Sequence, residues 1–407
     1  MNENTPKLNT SKRIFTLPKN IFLLGLVSLF NDFSSEMIYS VFPAFFTSVL
    51  HAGAESLGIV DGIAESLSNF FKIYSGNSSD RLQNRKSFVV WGYAIAVLSR
   101  PFYVFASTVS AALGLRVVDR IGKGLRDAPR DAIISLSTPK EELGRSFGFH
   151  RAMDTLGSIL GPLVAYLILR QFPLNFNLVF LSSFVIGLFA ILSLVFISDV
   201  MVNNFQKKEN IFSAFKSLSW RFKLFILSIF VLSIGTLPVS IILLKTTSIG
   251  LVIADIPLFY MIYNISYASF SMLAGKMSDK IGSRVIIFSG YVILLLSYVA
   301  LNYSSTQTAL ALSFFIFGLF PALTDGVQRS FASQLSNTEL RGSAMGLLNA
   351  SIGFGVLIAG ILGGYIWQSY NPHIAFLAFG MIIFIGLILF LFTSIKNEAK
   401  NTALNKH

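Results

Sequence analysis

Cysteine is absent from the 407 residues of the chain. Without a thiol, the sequence excludes disulfide bonds, thiolate metal sites and cysteine nucleophiles. Charged residues are also scarce, at 13% of the chain against 53% apolar residues. So few charges cannot coat a water-soluble globule of this size. The chain is therefore expected to face lipid.

What the sequence does contain is a series of apolar segments, each long enough to cross a bilayer and separated by short polar stretches. The first segment follows a basic stretch and shows no small-residue cleavage pattern, so we expect it to be retained. We number twelve segments in chain order: 21–48, 57–78, 87–107, 110–134, 146–169, 176–198, 223–245, 254–275, 285–303, 308–332, 343–367 and 374–395.

The basic residues predict an orientation. The formal net charge is +12, but the Lys and Arg residues outside the segments lie in short loops rather than on one soluble domain, so nucleic acid is not an expected partner. Only Arg170 and Lys245 fall on one predicted side of the membrane, whereas the other side collects the remaining loop cations. The positive-inside rule therefore predicts an inner-membrane protein with both termini in the cytoplasm.

Three landmarks recur about 198 residues apart. The stretch from Gly76 to Asp80 after segment 2 is repeated by Gly275 to Asp279 after segment 8, at an offset of 199, and both are read as loops. Asp127 corresponds to Asp325 at an offset of 198. Segments 5 and 11 share a glycine series, whose members are Gly148, Gly157, Gly161 with Pro162, and Gly346, Gly355, Gly360.

The repeat predicts two similar six-helix bundles, an arrangement in which the halves rock around a central site. The predicted fold is all-α and integral to the membrane. Its parts are a cytoplasmic tail at 1–20, a first bundle at 21–198, a linker at 199–222, a second bundle at 223–395 and a tail at 396–407.

These motifs resemble the major facilitator superfamily over essentially the whole chain. Gly76-xxx-Asp80-Arg81 and Gly275-xxx-Asp279-Lys280 look like its loop signature between helices 2 and 3 and its copy between helices 8 and 9. Arg120-Ile-Gly-Lys-Gly124 is similar to a motif of its proton-coupled members, and the segment 5 glycine series to that of its antiport-type exporters. The resemblance implies two six-helix bundles and transport by alternating access.

Ionisable residues inside the segments are costly to insert and are candidates for function. The spacing places several of them on shared helix faces, which predicts either a hydrated cavity wall that exchanges protons or a permanent salt-bridge lattice. The cavity residues are Asp32, Glu36, Arg120, Asp61, Glu65, Arg116 and Lys123. The expected conformational gate comprises Gly76, Asp80, Arg81, Arg85, Asp127, Gly275, Asp279, Lys280, Arg284 and Asp325. The glycine series, with Pro162, is expected to permit close helix packing.

Three functions remain open from the sequence. The leading one is proton-coupled efflux of a small solute by antiport. An alternative is proton-coupled uptake of an anionic solute, such as an organic acid, a phosphate ester or a carboxylate siderophore, and a remote one is a membrane sensor without transport. Motifs of membrane hydrolases and ATP-driven pumps are missing, so no enzyme is expected. We expect a monomer whose partners are solute, protons and lipid, with neither cofactor nor metal.

Overall fold

The computed structural model describes residues 13–14, 17–82, 84–139, 142–198, 217–336 and 340–393. Apart from a two-residue hairpin, in which β1 (Arg13–Ile14) pairs antiparallel with β2 (Leu17–Pro18), these residues are almost entirely helical. The predicted all-α class is confirmed. Most of the predicted linker and both outer ends of the tails lie outside the described residues.

Six long helices form the first half of the chain, numbered to match the predicted segments. Helix α3 continues as a 3₁₀ helix over Arg100–Phe105. The helices are α1 (Lys19–Ser48), α2 (Ala54–Leu82), α3 (Arg85–Ser99), α4 (Val109–Leu136), α5 (Leu143–Gln171) and α6 (Phe176–Val195).

Six further long helices form the second half. They are α7 (Trp220–Ile234), α8 (Ile256–Ile281), α9 (Ser283–Tyr303), α10 (Gln307–Gln334), α11 (Arg341–Ser369) and α12 (Pro372–Leu391). Short helices at Val239–Leu243 and Lys245–Ser248 and a 3₁₀ turn at Ile253–Asp255 connect α7 to α8.

Nine spans among the described residues are long and apolar enough to cross a membrane. The three long helices outside that set are α2, α4 and α8. Helix α4 is the extreme case, since it carries eight charged residues in 28. A helix of this kind can lie at membrane depth only where neighbouring helices or water shield its charged face.

The break in span 7 has an identifiable cause. Pro238 cannot donate to a helical hydrogen bond, and it pushes the residue before it into an extended conformation. Tyr298 on α9 satisfies the freed backbone, because its hydroxyl accepts from the Leu237 nitrogen at 2.7 Å and donates to the Gly235 carbonyl at 3.0 Å. The backbone can therefore be interrupted here without leaving these polar groups unpaired in lipid.

Helix pairing repeats between the two halves. In the first half, α1 packs against α5 and α6, and α3 against α4 and α6. In the second half, α7 packs against α11 and α12, and α9 against α10 and α12. This correspondence extends the sequence repeat to the level of packing.

The chain divides into two compact units. They follow the two halves of the sequence except for two segments, each of which belongs to the unit of the other half. One unit holds 1–53, 63–206 and 246–265, and the other holds 54–62, 207–245 and 266–407. The first nine residues of α2 thus belong with the second half, and the first ten of α8 with the first half. The bundle boundaries drawn from the sequence stay a prediction.

The two Gly-xxx-Asp motifs are helical rather than loops, which corrects the sequence interpretation. Gly76 and Asp80 lie in the last two turns of α2, and Gly275 and Asp279 in those of α8. Packing explains the first case, because the Ser75 hydroxyl donates to the Gly124 carbonyl of α4 at 2.8 Å. Only Gly282, with φ of +97°, forms the turn that follows α8.

Candidate functional site

Helix α4 supplies the polar face of the first unit. Its charged residues recur every three or four positions, so that they project to one side of the helix. Despite their charge, four of them are buried among neighbouring helices: Arg116, Asp119, Arg120 and Arg126. This face is therefore shielded by its neighbours at these four positions.

Arg120 is the centre of an ion-paired group. Its Nε lies 3.1 Å from a carboxylate oxygen of Glu65 on α2 and 3.7 Å from one of Asp119. Asp119 in turn lies 3.6 Å from Arg100, which is 1% exposed. The half-buried Glu65 and the buried Asp119 therefore both have guanidinium partners.

Arg116 is held differently, against aromatic rings of α1. Its guanidinium carbon lies 4.5 Å from the centre of the Tyr39 ring and 5.4 Å from that of Phe42. Arg120 also approaches the Tyr39 ring, at 5.8 Å. Aromatic faces attract cations electrostatically, so this wall stabilises positive charge away from water.

The two carboxyl groups of α1 lack such cationic partners. Glu36 accepts a hydrogen bond from the Tyr260 hydroxyl of α8 at 2.7 Å, and Asp32 accepts one from the Asn31 side chain at 2.9 Å. Within the described residues, no Lys, Arg or His nitrogen lies within 4.0 Å of either carboxylate. The structure thus separates Asp32 and Glu36 from Glu65, although the sequence grouped all three.

Asp154 on α5 joins this α1 group. Ser28 donates to one of its oxygens at 2.9 Å, and Arg151 lies 2.9 Å from the other. One turn further along α5, a Cβ at Gly157 would lie 3.1 Å from the Cβ of Asp32. Asp154 therefore connects α5 to the polar face of α1.

A second set of ion pairs lies toward the C-terminal ends of α2 and α4. Lys72 lies 3.3 Å from Asp127, and Arg130 lies 3.6 Å from Asp127 and 2.9 Å from Asp131. Beyond them, Arg85 at the start of α3 lies 2.9 Å from Asp80. These pairs connect α2 to both α3 and α4.

The second-half residues that correspond to Asp127, Asp80 and Arg85 have different partners. Asp325 is exposed and accepts a hydrogen bond from Tyr267 at 3.0 Å. Asp279 has no ion pair among the described residues, and Arg284 donates instead to the Leu391 carbonyl. The repeat in sequence is therefore not a repeat of the ion pairs.

Asp61 belongs to a different unit from the other predicted cavity residues. It is 2% exposed and lies in the part of α2 that contains Gly58 and Gly62 and packs with the second unit. A Cβ at Gly58 would overlap the Gly360 carbonyl oxygen of α11, so the two backbones are in direct contact. Asp61 is thus buried in a stretch of α2 that packs closely on α11.

The glycine series does permit close packing at most positions. A Cβ at Gly157 would lie 2.5 Å from the Leu29 carbonyl oxygen of α1, and one at Gly355 would lie 3.0 Å from the Phe230 carbonyl oxygen of α7. Gly161 is equally tight against α1. Gly148 is different, because nothing lies within 4 Å of a Cβ built there, so packing does not explain its glycine.

Several residues that the sequence did not select take part in these contacts, among them Arg100, Asp119 and Asp154. The available signal was their charge within predicted spans. That signal does not distinguish them from other charged residues, because the spacing along one helix does not show what the neighbouring helix presents.

Comparison with known proteins agrees with this architecture. The family model of the Major Facilitator Superfamily (MFS) matches residues 24–251 and 224–406. An uncharacterized MFS-type transporter of Methanocaldococcus jannaschii is 34% identical over 396 residues, covering 96% of this chain and 98% of that protein. Multidrug resistance protein MdtH of Sodalis glossinidius is 24% identical over 375 residues, covering 86% and 88%.

A solved structure shows the same fold. The crystal structure of a mutant of the nucleoside transporter NupG superposes with a TM-score of 0.79 at 16% identity and covers 92% of this chain and all of that one. At this identity the likeness speaks for the fold alone. Together with the family match along the chain, it leads to one assignment: this chain is a multi-pass membrane transporter of the major facilitator superfamily.

Proposed function

We propose that the chain is a secondary active transporter that moves a small solute by alternating access, with proton-coupled efflux as its activity. The observation that carries the proposal is the pair of carboxyl groups on α1, Asp32 and Glu36, which are half-buried and have no cation within 4.0 Å among the described residues. Burial penalises an ionised carboxylate that lacks a compensating charge, and binding a proton removes the penalty.

The neighbouring ion pairs make the contrast sharper. Glu65 lies against Arg120 and Asp127 against Lys72, so these carboxylates already have partners that favour their charged form. We therefore assign proton exchange to Asp32 and Glu36, and a fixed electrostatic frame to Arg120, Glu65, Arg116 and Lys123. The sequence left open a proton-exchanging cavity wall and a permanent salt-bridge lattice. We assign these two roles to different helices: α1 provides the carboxyl groups that exchange protons, and α4 provides the lattice.

Export is supported by two observations. The glycine series of α5 is similar to that of antiport-type exporters, and the chain matches a multidrug resistance protein over most of its length. In an antiporter the proton and the solute bind in turn. The carboxylates of α1 would therefore bind a proton in one step of the cycle and the solute in another. We propose that the solute enters near Glu36 and Tyr260.

Gating is proposed for the ends of α2 and α8. The Asp80 to Arg85 ion pair and the Asp127 group connect α2 with α3 and α4, so that breaking these pairs would release one conformation. We assign the gate residues of the second half to the other conformation of the transport cycle. These residues are Gly275, Asp279, Lys280, Arg284 and Asp325. From the distribution of Lys and Arg, we place the protein in the inner membrane with cytoplasmic termini.

A second candidate is uptake of an anionic solute with protons. It is favoured by Lys123 and Arg126, which have no ion pair within 4.0 Å among the described residues. If protons neutralise the α1 carboxyl groups, these two cations remain uncompensated and would attract an anion.

Everted membrane vesicles with an acidic interior and a fluorescent pH probe test the proposal. Adding an exported compound should collapse the pH gradient in vesicles that contain the protein, and Asp32→Asn and Glu36→Gln should abolish the response. Asp255→Asn, which changes a carboxylate of the 3₁₀ turn between α7 and α8, is the matched control. If no member of a panel of lipophilic cations and neutral drugs releases protons, efflux fails.

The second candidate is tested in right-side-out vesicles with an inward proton gradient. Accumulation of a radiolabelled organic acid or phosphate ester that depends on the gradient and on Lys123 would replace efflux with uptake. If neither vesicle assay gives proton-dependent movement, transport coupled to protons is wrong for this chain.

A further inference from the structure

Arg100 lies in the interior of the first unit, where α3 continues as a 3₁₀ helix. It is 1% exposed, and its guanidinium donates one hydrogen bond to the Ser34 hydroxyl and another, at 2.9 Å, to the side-chain oxygen of Asn31. Both acceptors belong to α1. The nitrogen that binds Asn31 also lies 3.6 Å from a carboxylate oxygen of Asp119 on α4. Groups of two helices therefore hold the guanidinium in one place.

Helix α6 closes the other side of this guanidinium. A Cβ at Gly187 would lie 2.9 Å from a terminal nitrogen of Arg100 and 3.0 Å from the Ser34 hydroxyl oxygen, so a side chain here would press on both. The Ser34 hydroxyl donates its single hydrogen to the Ser183 carbonyl of α6, and it can therefore only accept from Arg100. Packing and hydrogen bonding thus both fix the position of Arg100.

The guanidinium determines which way the Asn31 amide faces. Arginine has N–H groups only and cannot accept a hydrogen bond, so the atom of Asn31 that meets Arg100 must be the oxygen. The nitrogen of the same amide then points away from Arg100, and it donates to a carboxylate oxygen of Asp32 at 2.9 Å. A reversed amide would place N–H groups against the N–H groups of Arg100. With Asp32 ionised, the observed orientation is the one that makes both contacts hydrogen bonds.

The orientation of this amide decides which form of Asp32 is hydrogen-bonded. An amide N–H donates to a carboxylate and stabilises its ionised form, whereas an amide oxygen can bond only to a protonated carboxyl group. Asp32 has no cation within 4.0 Å among the described residues. The neutral amide of Asn31 therefore takes the place that a cation has beside Glu65.

Other ionisable groups surround Asp32 at this level of the bundle. Helix α6, which also packs on α1, contains no ionisable residue. The groups on the remaining helices are Glu36 on α1, His150, Arg151 and Asp154 on α5, and Lys123 and Arg126 on α4. A substitution of Asn31 leaves all of their charges in place, so it isolates the contribution of the amide.

We propose that Arg100 is a positioning residue for proton exchange at Asp32. It holds the Asn31 amide with its nitrogen toward Asp32, so that the carboxylate keeps a hydrogen-bond donor when its proton leaves for water. Because Asp119 lies beside the same guanidinium, Arg100 also connects the exchanging group on α1 to the ion pairs of α4. The inference rests on the proposed proton exchange and specifies what prepares Asp32 to release its proton.

Infrared difference spectroscopy on the purified full-length protein tests this role without a known solute. A protonated carboxyl group absorbs at a different frequency from a carboxylate, and the band that Asp32→Asn removes reports Asp32. We expect Asn31→Leu to keep the proton on Asp32 to more alkaline pH, with proton binding about tenfold tighter, because the ionised form loses its donor. Asn69→Leu, whose amide donates to the Glu65 backbone carbonyl instead, is the matched control and should leave the titration unchanged.

Variants of Arg100 separate positioning from a direct effect of its charge. Arg100→Met combined with Asp119→Asn removes a cation and a carboxylate together, so the local net charge is preserved. Proton binding at Asp32 should still tighten about as much as in Asn31→Leu, because the amide can then turn its oxygen toward the carboxyl group. Arg100→Lys, whose ammonium can only donate to Asn31, should keep the titration close to that of the unmodified protein. Adding Asn31→Leu to the charge-preserving pair should change nothing further, because Arg100 acts through that amide.

The titration of Asn31→Leu is decisive even where an Arg100 variant does not yield folded protein, because it leaves the contacts of Arg100 with Ser34 and Asp119 in place. An unchanged titration in Asn31→Leu overturns the proposal. Further tightening when the Arg100 and Asn31 substitutions are combined also overturns it, since Arg100 would then act by another route. An Asp32 band that titrates but ignores Asn31 defeats only the role of Arg100. Absence of any band that Asp32→Asn removes defeats the proposed proton exchange at Asp32 itself.

Discussion

Gly157→Ala and Gly148→Ala introduce the same methyl group at two points of α5, and we expect opposite effects on stability. At Gly157 the new carbon would lie 2.5 Å from the Leu29 carbonyl oxygen and 2.7 Å from the Phe33 nitrogen. Both are backbone atoms of α1, so no side-chain rotation can relieve the clash and the helices have to separate. At Gly148 nothing lies within 4 Å.

The magnitudes follow from packing and helix propensity. Overpacking of this kind costs up to about 3 kcal/mol, and alanine returns about 1 kcal/mol relative to glycine within a helix. The free energy of unfolding should therefore fall by about 2 kcal/mol in Gly157→Ala. It should rise by about 1 kcal/mol in Gly148→Ala, which gains the propensity alone.

Unfolding in detergent micelles measures this contrast. The fluorescence of the three tryptophans can be followed during titration with a denaturing detergent or during heating at one fixed scan rate. A Gly148→Ala variant that loses as much stability as Gly157→Ala would refute the assignment of close packing to one position and not the other. A neutral Gly157→Ala would show that α1 and α5 are not in backbone contact.

Three further predictions concern the ion pairs and the orientation. Arg100→Gln should lower the free energy of unfolding by about 3 kcal/mol, because Asp119 loses a buried partner. Adding Asp119→Asn should restore part of that free energy. A double variant that is no more stable than Arg100→Gln would contradict the pairing. Lys72→Asp and Asp127→Lys should each reduce the steady-state amount of protein in membranes, whereas the double reversal should recover it if the 3.3 Å pair is formed. Since the chain has no cysteine, Ser305→Cys should react with an impermeant maleimide in intact cells and Gly144→Cys only after the membrane is opened; the reverse pattern would invert the predicted topology.

The sequence alone determined the helices and the repeat. Insertion into lipid depends on the summed hydrophobicity of a local stretch, so most of the twelve segments could be located without knowing their neighbours. Helices α2, α4 and α8 fall outside the nine sufficiently apolar spans among the described residues. Glycines and charges at a common offset then revealed two similar halves, and the paired helix contacts of both halves agree with that interpretation. Where the sequence was wrong, as for Gly76 and Gly275, it read polar turn-forming residues as loops although the helices continue through them.

Only the tertiary structure decided which charged groups are compensated. Helical periodicity gives the direction of a side chain around its own axis, but not the residue that the next helix presents. Glu65 and Asp32 look equivalent in the sequence, yet Glu65 lies 3.1 Å from Arg120, whereas Asp32 accepts a hydrogen bond from the Asn31 amide and has no ion pair among the described residues. The difference arises from close helix crossings, such as that of α5 over α1 at Gly157. These crossings depend on the packing of the whole bundle.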